Sequence, residues 1–550
     1  VTVPAELERA RQLMLAADEG EARDLLLSLV PAIERADRDD WMLEVFAQLG
    51  QLYLVRGAND GVAECLRRIE DCLGVYSSIV AGAMPETADE VNMTTAETAH
   101  MVCRYSRRAR FLNAGLAAAH GDHRGAEAEL AGLTDSESAV EFPDLTGEHA
   151  DLVTYARILC AEALCDDDLY AQALPLWELI TDDIDHRDHT DEFADYLFIA
   201  GATGYGRFCV ETGRLAEAEP WLRRAGARAE VRGWELALAR TRLERAAGSW
   251  VAGDGAGTER LVSEAYPVIR QHARAHDVSR CWLYFGFTRL AVGALEQADE
   301  CWVHAERHWR ELGKELHIHR ILLQRSWIDI FRGRYQAAVD LVAEARQCLD
   351  AWPRHSWLQY ARLDDHLGTV WRAEALAEMA HVDGSRRGSA LAKLQQAADL
   401  KLPAALAVDS VRYLIADADA RMRWATYVSA RLLAGAFAVA WEWQNTSLVS
   451  ELIEYHCSRG TFGTDPQPPS AADWAATASA PVPIEGSVEL PMVAGAPGPV
   501  KAARLTRLGP LPELQMDPGG GPIMTGYRAK AVERYGRKVT ADEPAWSTWP

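Results

Sequence analysis

The sequence predicts an all-α solenoid of about ten antiparallel helix pairs over residues 1–460, followed by a Pro/Gly-rich, largely irregular tail over 461–550. Three observations carry this. Apolar residues recur at i, i+3, i+4 and i+7 through the first 460 residues, with no long stretch of β-branched alternation. Glycine-bearing breakers return at a fixed forty-residue interval, the mark of stacked repeats. Proline is unevenly placed: 9 of the 23 lie in 1–460 and 14 in the last 90 residues.

The N-terminal stretch Val1 to Ala10 is polar and charged and reads as no secretory signal. The longest apolar run, around Leu432–Trp441, is too short to span a bilayer. Ten cysteines include no C-x-x-C pair and sit mostly in apolar helical patterns, which reads as buried free thiols in a reducing cytoplasm. A net charge of −24 argues against nucleic acid and against anionic membranes as partners. The charge is divided: residues 501–538 carry 8 basic against 3 acidic residues, so a locally basic tail hangs from an acidic body.

Helix pairs are read from Ala5 to Arg459, with breakers every fifteen to twenty residues. Leu49, Gly50, Tyr53 and Gly57 mark an early pair; Tyr170, Ala173 and Trp177 mark a later one. Irregular insertions near 77–94, 134–148 and 182–193 are expected as loops. From residue 200 the repeat is regular. The turn glycines Gly213, Gly253, Gly293 and Gly333 stand forty apart. Five positions later comes a small residue (Ala218, Thr258, Ala298, Ala338), and nine positions later a large apolar one (Leu222, Val262, Trp302, Val342). Glycine lets the chain reverse, the small residue lets two helices approach, and the large one fills the gap beside it.

These residues resemble the tetratricopeptide repeat, in Tyr205-Gly206, Ala218 and Leu222, and again in Gly286, Gly293, Ala298, Trp302 and Ala305. The forty-residue period exceeds the family's 34, so the helices are expected to be longer. The resemblance implies a right-handed superhelix whose concave groove is lined by the first helix of each pair. Carried over to this sequence, the family's groove positions give the partner-binding candidates Arg207, Arg240, Trp250, Arg280, Phe287, Arg320 and Trp327. An arginine ladder beside aromatics suits an acidic peptide or a C-terminal carboxylate. The competing explanation is that each arginine pairs with an acid on a neighbouring helix. The family's asparagine-and-lysine carboxylate clamp is not matched, since none of the four asparagines falls in those slots. A second basic cluster, Arg104, Arg107, Arg108 and Arg110, is read the same two ways.

In the tail, residues 461–499 read as a linker and 505–523 as extended chain, while 524–538 can form one short basic helix. Leu511, Tyr527, Arg528, Arg534, Tyr535, Trp546 and Trp549 are the candidates for docking, either onto the chain's own groove as a latch or onto another protein. The segment RLGPLPELQMDPGGGPIMTGYRAKAVERYG resembles the linker between repeats and the caspase-like (CHAT) peptidase domain of actinobacterial conflict-system proteins. That resemblance implies a repeat partner of such a peptidase or its regulator.

Motifs for chemistry are missing. No phosphate-binding loop, dinucleotide fingerprint, nucleophile elbow or H-E-x-x-H is found. His272/His276 and His304/His308 have helical i,i+4 spacing, but no third ligand is evident, and no metal or cofactor is expected. The acidic stretch 182–192 lacks the glycine and spacing of a calcium loop. The expectation is a cytoplasmic, non-catalytic protein-binding scaffold or adaptor, a repeat component of a bacterial caspase/CHAT-type conflict or signalling system. The alternative is a helical-repeat sensor binding a peptide or small ligand; an enzyme on a helical scaffold ranks third.

Overall fold

The computed structural model describes residues 2–84, 93–134, 142–186, 191–380, 386–413, 424–458 and 523–537. Among them are twenty-one α-helices and no strand. Twenty helices form ten consecutive pairs. The first four pairs are α1 (Val3–Leu15) with α2 (Glu19–Ala36), α3 (Asp39–Arg56) with α4 (Asn59–Val80), α5 (Thr95–Ala119) with α6 (His123–Thr134), and α7 (Thr146–Asp166) with α8 (Tyr170–Asp185). The regular centre follows: α9 (Glu192–Glu211) with α10 (Leu215–Arg232), α11 (Glu235–Val251) with α12 (Gly255–Gln271), α13 (Ala275–Ala291) with α14 (Leu295–Glu311), and α15 (Glu315–Phe331) with α16 (Tyr335–Ala351). The C-terminal body holds α17 (Trp357–Met379), α18 (Arg387–Ser410), α19 (Ala430–Glu442) and α20 (Thr446–Ser458), and α21 (Thr525–Tyr535) comes from the tail. Each helix packs on its pair partner and on the next pair, which is a solenoid.

The repeat chemistry is visible at every central turn. Gly213, Gly253, Gly293 and Gly333 have φ of 78°, 83°, 76° and 69°, the left-handed region glycine enters without strain. At the first of them Gly213 N–H donates to the Val210 carbonyl and Arg214 N–H to the Cys209 carbonyl, satisfying the helix end. The small and large residues that follow, from Ala218 and Leu222 to Ala338 and Val342, are all buried. The fit is specific: a Cβ on Gly286 would stand 2.1 Å from the Trp302 indole, so that repeat's large tryptophan requires its glycine. Nine described cysteines are free thiols, packed mostly in these cores. Burial pushes Cys160 up to about 12 and Cys65 to about 11, away from thiolate reactivity.

Three insertions interrupt the array where the sequence breaks, but helices reach into them. α4 runs to Val80, α7 begins at Thr146, and α8 continues to Asp185. A capping box between Thr94 and Glu97 restarts the chain at α5 after the first insertion.

The C-terminal body departs from the repeat pattern. From Lys401 to Ser410, every residue of α18 is buried, so it is a central helix wrapped on all sides by α17, α19 and α21. Pro403 interrupts it. A proline has no N–H, so the Asp399 carbonyl four residues back loses its helical partner. Arg534 of α21 supplies one, with Nη1 donating to that carbonyl at 2.7 Å.

Candidate functional site

The array curls until distant repeats touch, and ion pairs hold the contact. Glu19 at the start of α2 pairs with Arg274 at the α12–α13 turn, 255 residues away, and both are buried. Arg56 closes the same junction with Nη1 on the His272 carbonyl at 3.3 Å. A second junction forms at the α7–α8 turn. Asp166 faces Lys314 at 3.6 Å, Asp167 pairs with Arg354 at 2.5 Å, and Asp168 pairs with Arg320.

Between the two junctions the concave face becomes a chamber of about 710 Å³. It is lined by the first helices of the pairs, α1, α3, α5, α7, α9, α11 and α13, and by the turns preceding α15 and α17. Leu312, Ala119 and His120 at its rim are exposed, so it opens to solvent. The walls are mixed: Leu54, Ile158, Leu159 and Ile199 are apolar, and charged side chains of both signs face them.

Three of the seven groove candidates line this chamber: Arg207, Arg240 and Arg280. Each is neutralised by an acid from a neighbouring repeat. Arg207 donates to Asp166 and to Glu211 at 2.8 Å, Arg240 to Asp277 at 2.7 Å, and Arg280 to both Glu244 oxygens. Burial would raise the Asp277 carboxyl, but Arg240, His276 and Arg280 together outweigh it and hold the group near 2. Arg320 belongs to the second junction. Trp250 and Phe287 are core residues, stacked on each other at 5.2 Å and buried, so neither offers a ring to a ligand. Trp327 is half-buried against His366 and Phe331. The second basic cluster is also internally paired: Arg104 and Arg108 clasp Glu148 and Glu44.

The sequence reading missed the side chains that make the chamber distinctive. Among the described residues Glu162 faces it with no ion pair or hydrogen bond, and burial raises its carboxyl to about 7 against the pull of Arg207 and Arg240. The Tyr155 and Tyr196 hydroxyls join at 2.8 Å beside it. Asp166, His276 and His317 meet with their donor atoms within 4.8 Å of one another. Of the two helical histidine pairs, only His276 takes part. His304 stacks on Trp282 instead, and His308 lies by Glu311.

In the tail, α21 docks on α17 and α18 and contributes nothing to the chamber. Tyr535 donates to Asp364 at 2.6 Å, Lys530 pairs with Asp399 at 2.6 Å, and Tyr527 lies beside the Lys530 ammonium. Arg534 makes the carbonyl contact described above, and Arg528 is half-buried in the same helix. Leu511, Trp546 and Trp549 lie outside the described residues. The latch across the groove therefore takes no form among the described residues; the tail helix closes the C-terminal body instead.

No family model matches the chain, and no curated protein matches it. Among solved structures it is similar to the apo form of RapI, at 9% identity over 68% of this chain and 98% of that one, with a TM-score of 0.35. It is similar also to the Rap conjugation gene regulator of the plasmid pLS20 in complex with the Phr* peptide, at 13% identity over 69% and 97%, with a TM-score of 0.33. Both are distant, and the fold stands on the chain's own helix pairing. Among the described residues no helix is long and apolar enough to cross a membrane.

Proposed function

We propose that this chain is a non-catalytic helical-repeat sensor that holds a short peptide or small ligand in the concave chamber bounded by its two junctions. The observation that carries it is the closure itself. Ion pairs between α2 and the α12–α13 turn, and between the α7–α8 turn and α15, turn an open groove into a bounded space of about 710 Å³. That size is typical of ligand pockets, roughly 300–1,000 Å³. It admits a peptide segment but not the surface of a folded partner, which favours a sensor over a scaffold.

The lining defines what fits. Apolar walls call for an apolar body. The arginines are already paired, so a charged group on the ligand must exchange for Asp166, Asp277 or Glu244, which makes charge a source of selectivity more than of raw affinity. A ligand that replaces one of these acids also loosens the repeat contact that acid makes, which couples occupancy to superhelix shape.

A role beside a caspase-like peptidase rests on residues 507–536. Within them α21 is engaged by α17 and α18, so it supports the solenoid and is not free for recruitment. The test fills the chamber without touching its ion pairs. Ala200→Trp and Ala237→Trp place large side chains on its wall. A pool of labelled random short peptides is captured on the wild-type chain and on the double variant. Retention of a peptide subset by the wild type, abolished by the filled chamber, supports the proposal; equal capture by both sinks it.

A further inference from the structure

We propose that Asp166, His276 and His317 form a binding site for one zinc-type divalent transition-metal ion on the chamber wall. The three come from three elements brought together by the superhelical turn. Asp166 ends α7, while His276 and His317 lie in the first turns of α13 and α15. Two imidazoles and one carboxylate are the donor set of borderline-soft divalent ions, and they suit calcium or magnesium poorly. Bonds of about 2.1 Å hold tetrahedral donors about 3.4 Å apart, so side-chain shifts of about an ångström close the present set around an ion.

Asp166 Oδ1 accepts from Arg207 at 2.8 Å, and Lys314 Nζ stands 3.6 Å from Oδ2, beyond a hydrogen bond. His276 Nε2 is buried with no hydrogen-bond partner, an unmet polar group of the kind folded proteins rarely leave. Its other nitrogen, Nδ1, receives the Trp309 indole N–H at 3.3 Å. Ligation through Nε2 moves the imidazole proton to Nδ1. That proton then faces the Trp309 N–H, so the long hydrogen bond is lost on both sides, and the metal bond to the unpartnered Nε2 must outweigh it. His317 stands edge-to-face on His276 at 5.0 Å, and the Trp309 ring walls it at 5.2 Å, so one tryptophan positions both rings.

The surroundings decide what kind of site this is. Burial keeps both imidazoles neutral at pH 7, as ligation requires. Three protein donors leave a fourth position facing the chamber, where water or a ligand group can bind. Arg207 and Lys314 beside Asp166 oppose a second positive charge, so the ion is expected to exchange with solvent and not to be a permanent structural metal. This inference stands on the three side chains and does not rest on the ligand proposal.

The test uses the full chain, stripped with chelator and titrated with Zn²⁺ by calorimetry and with Co²⁺ by visible absorption. The expected result is one ion per chain with a four-coordinate cobalt spectrum. His317→Gln and Asp166→Asn are each expected to weaken it by about a hundredfold. His304→Gln, away from the cluster, is expected to leave it unchanged. Uptake that is absent, or indifferent to the His317→Gln and Asp166→Asn pair, overturns the site and marks any zinc as an adventitious ion only. Should those variants fail to fold, X-ray absorption on the zinc-loaded wild type decides: two imidazoles in the first shell support the site, and an oxygen-only shell overturns it.

Discussion

At the scale of single residues, the repeat exposes its own exceptions. Gly233 and Gly313 occupy the turns between pairs with φ of 69° and 62°; the equivalent position between them is Ala273, held at φ 51°. An alanine there pays the left-handed cost that glycine avoids. Ala273→Gly is expected to stabilise the chain by about 1 kcal/mol, the strain relieved exceeding the entropy added to the unfolded state, as a rise in denaturant midpoint. The opposite change, Gly286→Ala, drives a methyl into the Trp302 indole and is expected to cost about 1–3 kcal/mol in the same measurement. The arginine ladder was legible because it repeats at forty residues. Two of its partners were legible in principle too: Arg240 meets Asp277 and Arg280 meets Glu244, 37 and 36 residues apart, within one period. Asp168 and Arg320 are 152 apart, and no local periodicity joins them.

At the scale of elements, helices and their order follow from apolar spacing and turn glycines, and these are local signals. The first helix of each pair as the inner layer is what the resemblance to the tetratricopeptide repeat implies, and the chamber lining agrees with it. The docking of α21 does not follow from local signals, because its partners Asp364 and Asp399 lie more than a hundred residues earlier. Pro403 frees the Asp399 carbonyl that Arg534 caps, and neither residue alone announces the other. Arg534→Met is therefore expected to cost about 0.5–1 kcal/mol, because the contact is exposed and water can take the carbonyl, read as a lowered thermal midpoint. Amide exchange should rise in α21 and α18 while the central repeats stay protected.

At the scale of the whole molecule, the chamber depends on closures that span one superhelical turn, and the −24 net charge says nothing of them. Their partners are read only after the curvature is known, which is why Glu19, Arg274 and His317 escaped sequence reasoning and His276 was noted without its true neighbours. Glu19→Gln leaves Arg274 buried without its counter-charge and is expected to cost about 3 kcal/mol, with faster exchange in α1, α2 and α13. Acid should loosen the body as well. Burial holds His276 and His319 near 4 and His366 near 3, below their unfolded values. The unfolded chain then binds more protons as pH falls from about 6.5 toward 4, so stability present at pH 7 is lost through that window, at roughly 2 kcal/mol per histidine by pH 5. Glu162, raised to about 7, works the other way and offsets one of the three. A urea midpoint measured from pH 7.5 to 4.5 should fall steadily.

The central claim is that the concave face, and not the convex surface or the tail, receives the ligand. Hydrogen exchange of the full chain with and without a captured peptide tests it most directly. New protection is expected to concentrate in α7, α9, α11 and α13, four of the helices that line the chamber. Protection confined to the outer helices or to α21, with those four unchanged, would contradict it.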